Sequence, residues 1–309
     1  MGSPAEVIPT LEYLINNIGF LDLVAVVSQP AKKVGRGKKL TNPPVAIFAE
    51  SKGIPLYQPE KASTSEFLHN LKSLEPDLVI TAAYGQILSD DFLKIPKRGT
   101  INIHPSKLPI YRGATPVQAA LLNGDTETAV TILFTVKKMD AGNIILQEKF
   151  KINPEDTSRE LLPRLFAASG PLLEKAVLKL RDKSYEGTPQ SESEKVECRK
   201  IKKEDGLLDF HNRAEDIINT YRGLTPWPGV YSFLSQQRIS FDNMIQMETS
   251  NMKPGFFHYD KTNKMLIVGT LSEDIGIKNL KPAGKKLLDA PSFWNGLRNK
   301  ENLSFDEVN

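Results

Sequence analysis

Short apolar runs alternate with amphipathic stretches through the first half of the chain. The apolar runs predict strands at residues 21–27, 78–82, 100–104 and 130–134. The amphipathic stretches predict helices at residues 44–52, 63–74, 90–93, 116–122 and 158–181. Ser63 and Glu66 have the spacing of a capping box at the second of these helices. Because strands that alternate with helices usually form parallel sheets, we expect an α/β domain with a mostly parallel sheet and helices on both faces.

The character of the sequence changes after residue 181. Residues 182–194 (DKSYEGTPQSESE) are polar and contain Gly and Pro, so they predict an exposed linker. Beyond about residue 203, short apolar runs between closely spaced turns predict a small all-β barrel or sandwich, with strands at 230–234, 238–241, 255–258 and 265–268. We therefore expect a first domain at residues 1–183, a linker at 184–203 and a second domain at 204–309.

The amino terminus has the pattern of a helix start. Ser3 is a suitable N-cap, Pro4 suits the first helical position, and Glu6 suits the third, so a helix is expected to run to about residue 16. In a doubly wound fold such a helix normally follows the first, central strand. Only Met1 and Gly2 precede it here. We therefore expect that the first strand is absent from this chain and that the natural start lies upstream.

Composition excludes several classes of protein. The chain has 309 residues, 40% hydrophobic and 25% charged, which suits two folded domains. It contains no run of about 18 apolar residues, so no membrane-spanning helix is expected. A single cysteine, Cys198, excludes a disulfide scaffold and a cysteine-ligated zinc site, and the four scattered histidines give no metal cluster. The net charge of +3 does not by itself favour a nucleic-acid partner.

Candidate chemistry is densest at residues 101–120 (INIHPSKLPIYRGATPVQAA), which begin on a predicted strand. Asn102 and His104 are two residues apart, so both side chains face the same side of that strand. Histidine transfers protons near neutral pH, and an asparagine amide can stabilise an oxyanion, so the pair suits acyl transfer. For an Asn-x-His pattern alone, a hydrogen-bonded core pair is the commoner interpretation.

Asp140 is a candidate partner for His104. It lies in a turn, Met139-Asp140-Ala141-Gly142, where a carboxylate can orient the imidazole and favour its protonated form. The alternative is an ordinary turn aspartate before glycine, which is frequent.

Two basic segments are candidates for phosphate binding. Residues 31–39 (AKKVGRGKK) contain five cations and two glycines, with no helical or strand period, and residues 281–286 (KPAGKK) form a second basic turn. A flexible basic loop beside a sheet edge can bind phosphates, although charge alone slightly favours a solvated basic turn at residues 31–39. Together they suggest a polyanion that contacts both domains.

The motif NIHPSKLPIYRGATPVQ resembles the N-x-H…S-L-L-P-x-(Y/W)-R-G-x-x-P-I signature of the 10-formyltetrahydrofolate-dependent formyltransferases. The Asp140 turn is similar to that family's M-D-x-G element. Four further segments are similar to the family members that formylate methionyl-tRNA: GRGKKL at 35–40, AYGQIL at 83–88, RGLTPWP at 222–228 and LKPAGKK at 280–286. These elements keep the expected order from residue 2 to about residue 298.

The resemblance implies a Rossmann-like catalytic domain, a linker and an OB-like β-barrel domain that helps to bind tRNA. It implies formyl transfer from 10-formyltetrahydrofolate to the free amino group of methionyl initiator tRNA, the step that prepares translation initiation. The enzyme is expected to need no metal and to have no membrane partner. It is expected to act as a monomer in the bacterial cytoplasm, with an organelle matrix as the alternative location.

The resemblance also implies the site residues. The catalytic residues are Asn102, His104 and Asp140. The folate-binding residues are Ser106, Lys107, Leu108, Pro109, Tyr84, Gly85 and Ile87. The tRNA-binding residues are Arg36, Lys38, Lys39, Lys285 and Lys286. Two departures from the family pattern stand out: Lys107 replaces the usual Leu, and residues 135–138 (TVKK) replace a segment that often carries another Asp and Gly.

Three alternative functions use the same features. A formyltetrahydrofolate hydrolase sends water to the same carbonyl, and a sugar-nucleotide formyltransferase uses a small amine as the acceptor. A non-enzymatic RNA-binding module would keep only the basic loops and the β domain. The presence of Asn102, His104 and Asp140 together argues against that last alternative.

Overall fold

The computed structural model describes residues 1–34, 37, 39–248 and 252–305. The chain forms two compact units. The first comprises residues 1–116, 127–152 and 160–199, and the second comprises residues 117–126, 153–159 and 200–309.

The first unit contains five helices and ten strands within the described residues. The helices are α1 Ile8–Asn17, α2 Pro44–Ser51, α3 Ser65–Ser73, α4 Asp90–Leu93 and, apart from its first two residues, α6 Ser158–Lys179. The strands are β1 Val26–Val27, β2 Lys32–Val34, β3 Lys39–Thr41, β4 Leu56–Tyr57, β5 Val79–Ala82, β6 Thr100–His104, β7 Arg112–Gly113, β8 Glu127–Phe134, β9 Ile144–Lys151 and β10 Glu197–Cys198. Helix α5, Pro116–Leu122, belongs to the second unit from Val117 onward.

Strand β6 lies at the centre of a four-stranded sheet with the order β5-β6-β8-β9. It is parallel to β5 and antiparallel to β8, which is antiparallel to β9. The predicted strands at 78–82, 100–104 and 130–134 are therefore present, and the four strands β5, β6, β8 and β9 form a mixed part of the sheet. Glu127–Phe134 and Ile144–Lys151 are adjacent in sequence, and only an antiparallel pair can be closed by so short a connection.

The predicted strand at 21–27 is confined to Val26–Val27, which pair in parallel with Leu56–Tyr57. On its other side the Gly2 amide donates to the Val27 carbonyl at 3.0 Å, and the Ala82 amide donates to the Met1 carbonyl at 2.9 Å. Met1 and Gly2 thus lie between β1 and β5, at the position of a central strand. The Met1 amino group is buried and donates to the Ile80 carbonyl at 2.6 Å, and burial lowers its pKa to about 5.

Two helix starts differ from the predicted ones by one or two residues, whereas the helices predicted to begin at 44, 90, 116 and 158 begin there. The amino-terminal helix begins as a 3₁₀ turn at Ala5–Val7, and the Ser3 hydroxyl accepts from the Gln29 amide instead of capping that turn. At α3 the N-cap is Thr64, whose hydroxyl accepts from the Phe67 amide at 3.4 Å. Thr64 thus takes the role predicted for its neighbour in sequence.

Helices α1 and α6 pack closely against each other in the first unit. The Thr10 hydroxyl is 2.8 Å from that of Ser169, and the Tyr13 hydroxyl donates to Glu174 at 2.8 Å. Gly170 is required at this contact because a Cβ there would lie 2.5 Å from the Tyr13 ring. In the described part of the chain, no helix has both the length and the apolar character needed to cross a membrane.

The second unit is built on an antiparallel sheet, as the sequence predicted. The strands are β11 Val230–Leu234, β12 Gln237–Gln246, β13 Phe257–Asp260, β14 Met265–Val268, β15 Ile275–Pro282 and β16 Leu288–Asp289, and the helices are α5, α7 Ala214–Leu224 and α8 Ala290–Asn295. The sheet order is β11-β12-β15-β14-β13, with β16 beside β15. Strand β15 was not predicted, because Gly276, Lys278 and Asn279 weaken its apolar pattern.

Residues 184–199 belong to the first unit and do not form the free linker expected at 184–203. Strand β10 pairs in parallel with β7, and Thr188 exchanges two backbone hydrogen bonds of 2.8 Å with Ile144. The polar composition is still consistent with this position, because most of these side chains are exposed while the backbone is paired.

Candidate active site

Strand β6 carries Asn102 and His104 on one face, as their spacing predicted. The Thr81 hydroxyl on β5 donates to the Asn102 side-chain oxygen at 2.8 Å. The Asn102 amide nitrogen donates to Oδ1 of Asp140 at 3.4 Å. Because a carboxylate only accepts, this contact orients the nitrogen of the Asn102 amide toward Asp140.

The His104 imidazole is buried, with 5% of its side chain exposed. Its Nε2 lies 2.9 Å from the Tyr111 carbonyl oxygen. Because a carbonyl only accepts, Nε2 carries a hydrogen and Nδ1 is the nitrogen that can take up a proton. Nδ1 lies 3.7 Å from Oδ2 of Asp140, a distance at which a protonated imidazole gains a charge partner.

Asp140 is brought to this pair by the turn that follows β8. Its backbone has a φ of +49°, in the left-handed region that non-glycine residues rarely adopt. The Gly113 amide donates to Oδ2 at 2.9 Å, and 14% of the side chain is exposed. The structure thus brings the three predicted catalytic side chains together around one carboxylate.

Four predicted folate-binding residues follow β6. Ser106 and Leu108 are buried, and the Ser106 hydroxyl donates to the Ile110 carbonyl at 2.7 Å. The Leu108–Pro109 peptide is cis, and the Leu108 carbonyl accepts from the Gln147 amide at 3.0 Å. The Lys107 amine lies 3.3 Å from Glu127, so it makes an ion pair at the surface. This segment therefore offers mainly its backbone to a ligand.

The predicted folate-binding residues after β5 differ in exposure. The Tyr84 ring is buried in a hydrophobic cluster, and burial raises the pKa of its hydroxyl to about 12. Gly85 has a φ of +78°, and a Cβ there would lie 2.7 Å from the Gln29 amide nitrogen. Ile87 is 81% exposed, which is unusual for an isoleucine. Of these three residues, only Ile87 exposes an apolar side chain to a ligand in solution, because Gly85 has no side chain and the Tyr84 ring is buried.

Comparisons with known proteins show the family of this chain. The family model described as formyl transferase matches residues 3–177, and the model of the formyl transferase C-terminal domain matches residues 200–298. This chain belongs to the formyltransferase family. The methionyl-tRNA formyltransferase of Staphylococcus epidermidis is 37% identical over 299 residues, which cover 96% of this chain and 95% of that protein.

Solved structures of formyltransferases share the fold. The methionyl-tRNA formyltransferase from Clostridium thermocellum superposes with a TM-score of 0.56 at 15% identity, covering 89% of this chain and 96% of that one. An N-formyltransferase from Helicobacter canadensis, in complex with folinic acid and dTDP-3-aminofucose, gives a TM-score of 0.62 at 21% identity, covering 89% and 96%.

The predicted tRNA-binding residues of this formyltransferase lie in both units. Arg36 and Lys38 fall outside the described residues. Lys39 is exposed on β3 in the first unit. Lys285 and Lys286 are exposed in the second unit, in the turn that follows β15. Their role in binding tRNA stays a prediction.

Three further residues surround the Asp140 turn and were not predicted as site residues. They are Arg112, Gln190 and Glu192. Arg112 lies within the quoted family motif, whereas Gln190 and Glu192 lie in the polar stretch that predicted a linker. Hydrogen bonds from Lys138 and Arg112 lower the pKa of Glu192 to about 2. Glu192 is therefore charged at neutral pH and pairs with both cations.

Proposed function

We propose that this formyltransferase transfers the formyl group of 10-formyltetrahydrofolate to the amino group of methionyl initiator tRNA, as a monomer in the bacterial cytoplasm. The proposal rests on the convergence of Asn102, His104 and Asp140 in a chain that matches a methionyl-tRNA formyltransferase along almost its full length.

The three side chains have complementary roles in this reaction. As the amine attacks the formyl carbon it must lose a proton, which His104 Nδ1 is placed to accept. The same proton is then relayed to N10 of the folate, so that the bond between N10 and the formyl carbon breaks and tetrahydrofolate leaves. The Asn102 amide nitrogen donates to the formyl oxygen as that oxygen gains negative charge, an effect of roughly 3–4 kcal/mol in comparable sites. Asp140 orients the imidazole and stabilises its protonated form.

The loops after β5, β6 and β8 suit a folate co-substrate. Ile87 after β5 and Met139 after β8 are exposed and present apolar surface at two of these loops. An apolar ring system that covered such side chains would gain about 25 cal/mol for each Å² removed from water. Lys107 takes part through its backbone, because its amine is held by Glu127.

The choice between acceptors tests the proposal directly. The purified protein is incubated with 10-formyltetrahydrofolate and one of three acceptors: methionyl-tRNA, a dTDP-linked amino sugar, or water alone. We expect formylmethionyl-tRNA to form at least about 10³-fold faster than either alternative product. Only methionyl-tRNA combines an amine that attacks the formyl carbon with a phosphate backbone that the basic segments bind, and this binding positions the amine. Formate release at the same rate without tRNA would identify a hydrolase instead, and preferential use of the sugar would identify a sugar-nucleotide enzyme.

The lysines of the second unit give a prediction about salt. Because phosphate contacts release counterions, kcat/KM for methionyl-tRNA is expected to fall steeply as KCl rises. The double variant Lys285→Ala/Lys286→Ala should flatten the log–log salt slope by roughly one to two, with kcat at saturating tRNA unchanged. Lys261→Ala/Lys264→Ala removes two exposed lysines from another turn of the same unit and is the matched control. Equal slopes in wild type and both variants would refute the assignment of Lys285 and Lys286.

A further inference from the structure

Residues 188–198 lie beside the turn that carries Asp140, which Gln190 contacts, and are paired with the first unit at both ends; we call them the clasp. At one end Thr188 exchanges backbone hydrogen bonds with Ile144. At the other end Cys198 pairs with Gly113 in the β7–β10 ladder. The clasp is therefore held next to Asp140 independently of its own side chains.

Gln190 is the clasp residue that contacts the Asp140 turn. Its side-chain nitrogen donates to the Asp140 carbonyl at 2.8 Å and to the Gly142 carbonyl at 2.7 Å. Its oxygen accepts from Nε of Arg112 at 3.0 Å. Because arginine only donates, this contact fixes the orientation of the Gln190 amide and leaves its nitrogen facing the two carbonyls.

Arg112 connects these contacts to the carboxylate itself. Its side chain is only 2% exposed, and Nη1 contacts Glu192 at 2.7 Å. The residue after it, Gly113, donates its amide hydrogen to the Asp140 side chain. Arg112 is thus linked to the backbone of Asp140 through Gln190 and to its carboxylate through the adjoining peptide.

Asp140 needs such support for two reasons. The left-handed region is unfavourable for a non-glycine residue, so neighbouring contacts are needed to hold that backbone conformation. The 3.7 Å separation between Asp140 Oδ2 and His104 Nδ1 is also longer than a hydrogen bond, so their own contact does not fix the carboxylate.

We propose that Gln190 is a positioning residue that holds Asp140 where it can orient His104. This inference rests on the function proposed above. A displacement of about 1 Å in a catalytic group is enough to lower a rate by about 10²-fold, so two lost hydrogen bonds at this turn affect turnover more than binding. The competing interpretation is a tether that contributes only to folding.

The variant Gln190→Glu tests the role at constant shape. Glutamate keeps the acceptor for Arg112 but places a second acceptor against two carbonyls. We expect kcat for methionyl-tRNA to fall by about 10- to 100-fold, with KM for the tRNA and for the folate within about threefold of wild type. Asn143→Asp is the matched control. It removes a hydrogen bond of 2.9 Å from the Asn143 side-chain amide to the Glu186 carbonyl, which lies close to the Asp140 turn and the clasp in sequence but involves neither Gln190 nor Asp140. We expect that control to keep kcat within about twofold.

A double-mutant cycle separates positioning from folding. In an Asp140→Asn background the carboxylate is already gone, so Gln190→Glu should lower the residual kcat by less than about twofold. The same fold-loss in both backgrounds would show a purely structural role and overturn the proposal. Full activity of the single variant, or an equal loss in Asn143→Asp, would also overturn it. If the wild-type protein does not formylate methionyl-tRNA, the proposed function is wrong. If the wild-type protein is active and Gln190→Glu is equally active, only the positioning role of Gln190 is refuted.

Discussion

Replacing His104 with alanine is expected to lower kcat for formyl transfer by about 10³-fold while folate affinity stays within about threefold of wild type. The Nδ1 atom of this imidazole is the acceptor placed to take the proton from the attacking amine, and general base catalysis contributes roughly 10²- to 10⁴-fold. Single-turnover formylation of methionyl-tRNA gives the rate, and equilibrium titration with the folate gives the affinity.

Two further variants separate the loss of the general base at position 104 from a loss of stability. His104→Ala removes the imidazole hydrogen bond to the Tyr111 carbonyl, which costs about 0.5–1.5 kcal/mol of stability. His104→Asn restores a donor group but not a base, so it should be nearly as slow and more stable. His69→Ala, at an exposed position on α3, should retain full activity. Parallel losses of folate affinity and rate in the two His104 variants would contradict the assigned role.

Replacing Gly142 with alanine is expected to disrupt the catalytic turn itself. A Cβ at this position would lie 1.9 Å from the Phe134 carbonyl oxygen, a distance that no rearrangement of side chains relieves. The turn must open, and Asp140, two residues away, must move with it. We expect kcat to fall by about 10²-fold and the thermal midpoint to fall by about 5–10 °C.

A second glycine provides the control for Gly142→Ala. Gly19 has no atom within 4 Å of the Cβ that alanine would add. Gly19→Ala should therefore leave kcat unchanged and shift the thermal midpoint by no more than about 3 °C. Wild-type activity in Gly142→Ala would show that the turn tolerates opening, and that Asp140 does not need the position described above.

The elements that carry the site were predictable where the local pattern was strong. Strand β6 has five consecutive residues of strand character, and its bounds match the prediction. Strand β15 was missed because polar residues and a glycine interrupt its pattern, although its pairing with β12 and β14 makes it central. Of the strand predicted at 21–27, only Val26–Val27 form a strand, because a strand forms only where a neighbouring backbone pairs with it.

The candidate site, like the strands, was predictable only where the pattern is local. The shared face of Asn102 and His104 follows from a two-residue spacing, whereas the direction of Lys107 depends on Glu127, twenty residues away along the chain. The exposure of Tyr84 was equally unpredictable, because its burial depends on residues from four other elements of the first unit.

Local patterns were enough to predict an α/β part followed by a β part, an amide and an imidazole on one strand face, and the motifs of a formyltransferase. Such properties are local, since residue spacing and turn chemistry act over a few positions. Only the tertiary structure decided that Asp140, 38 residues from Asn102, reaches that face, and that Gln190, a further 50 residues along, holds its backbone. Contacts at such separations depend on the path of the whole chain, because each is closed by sheet pairing and turn geometry that no single segment encodes.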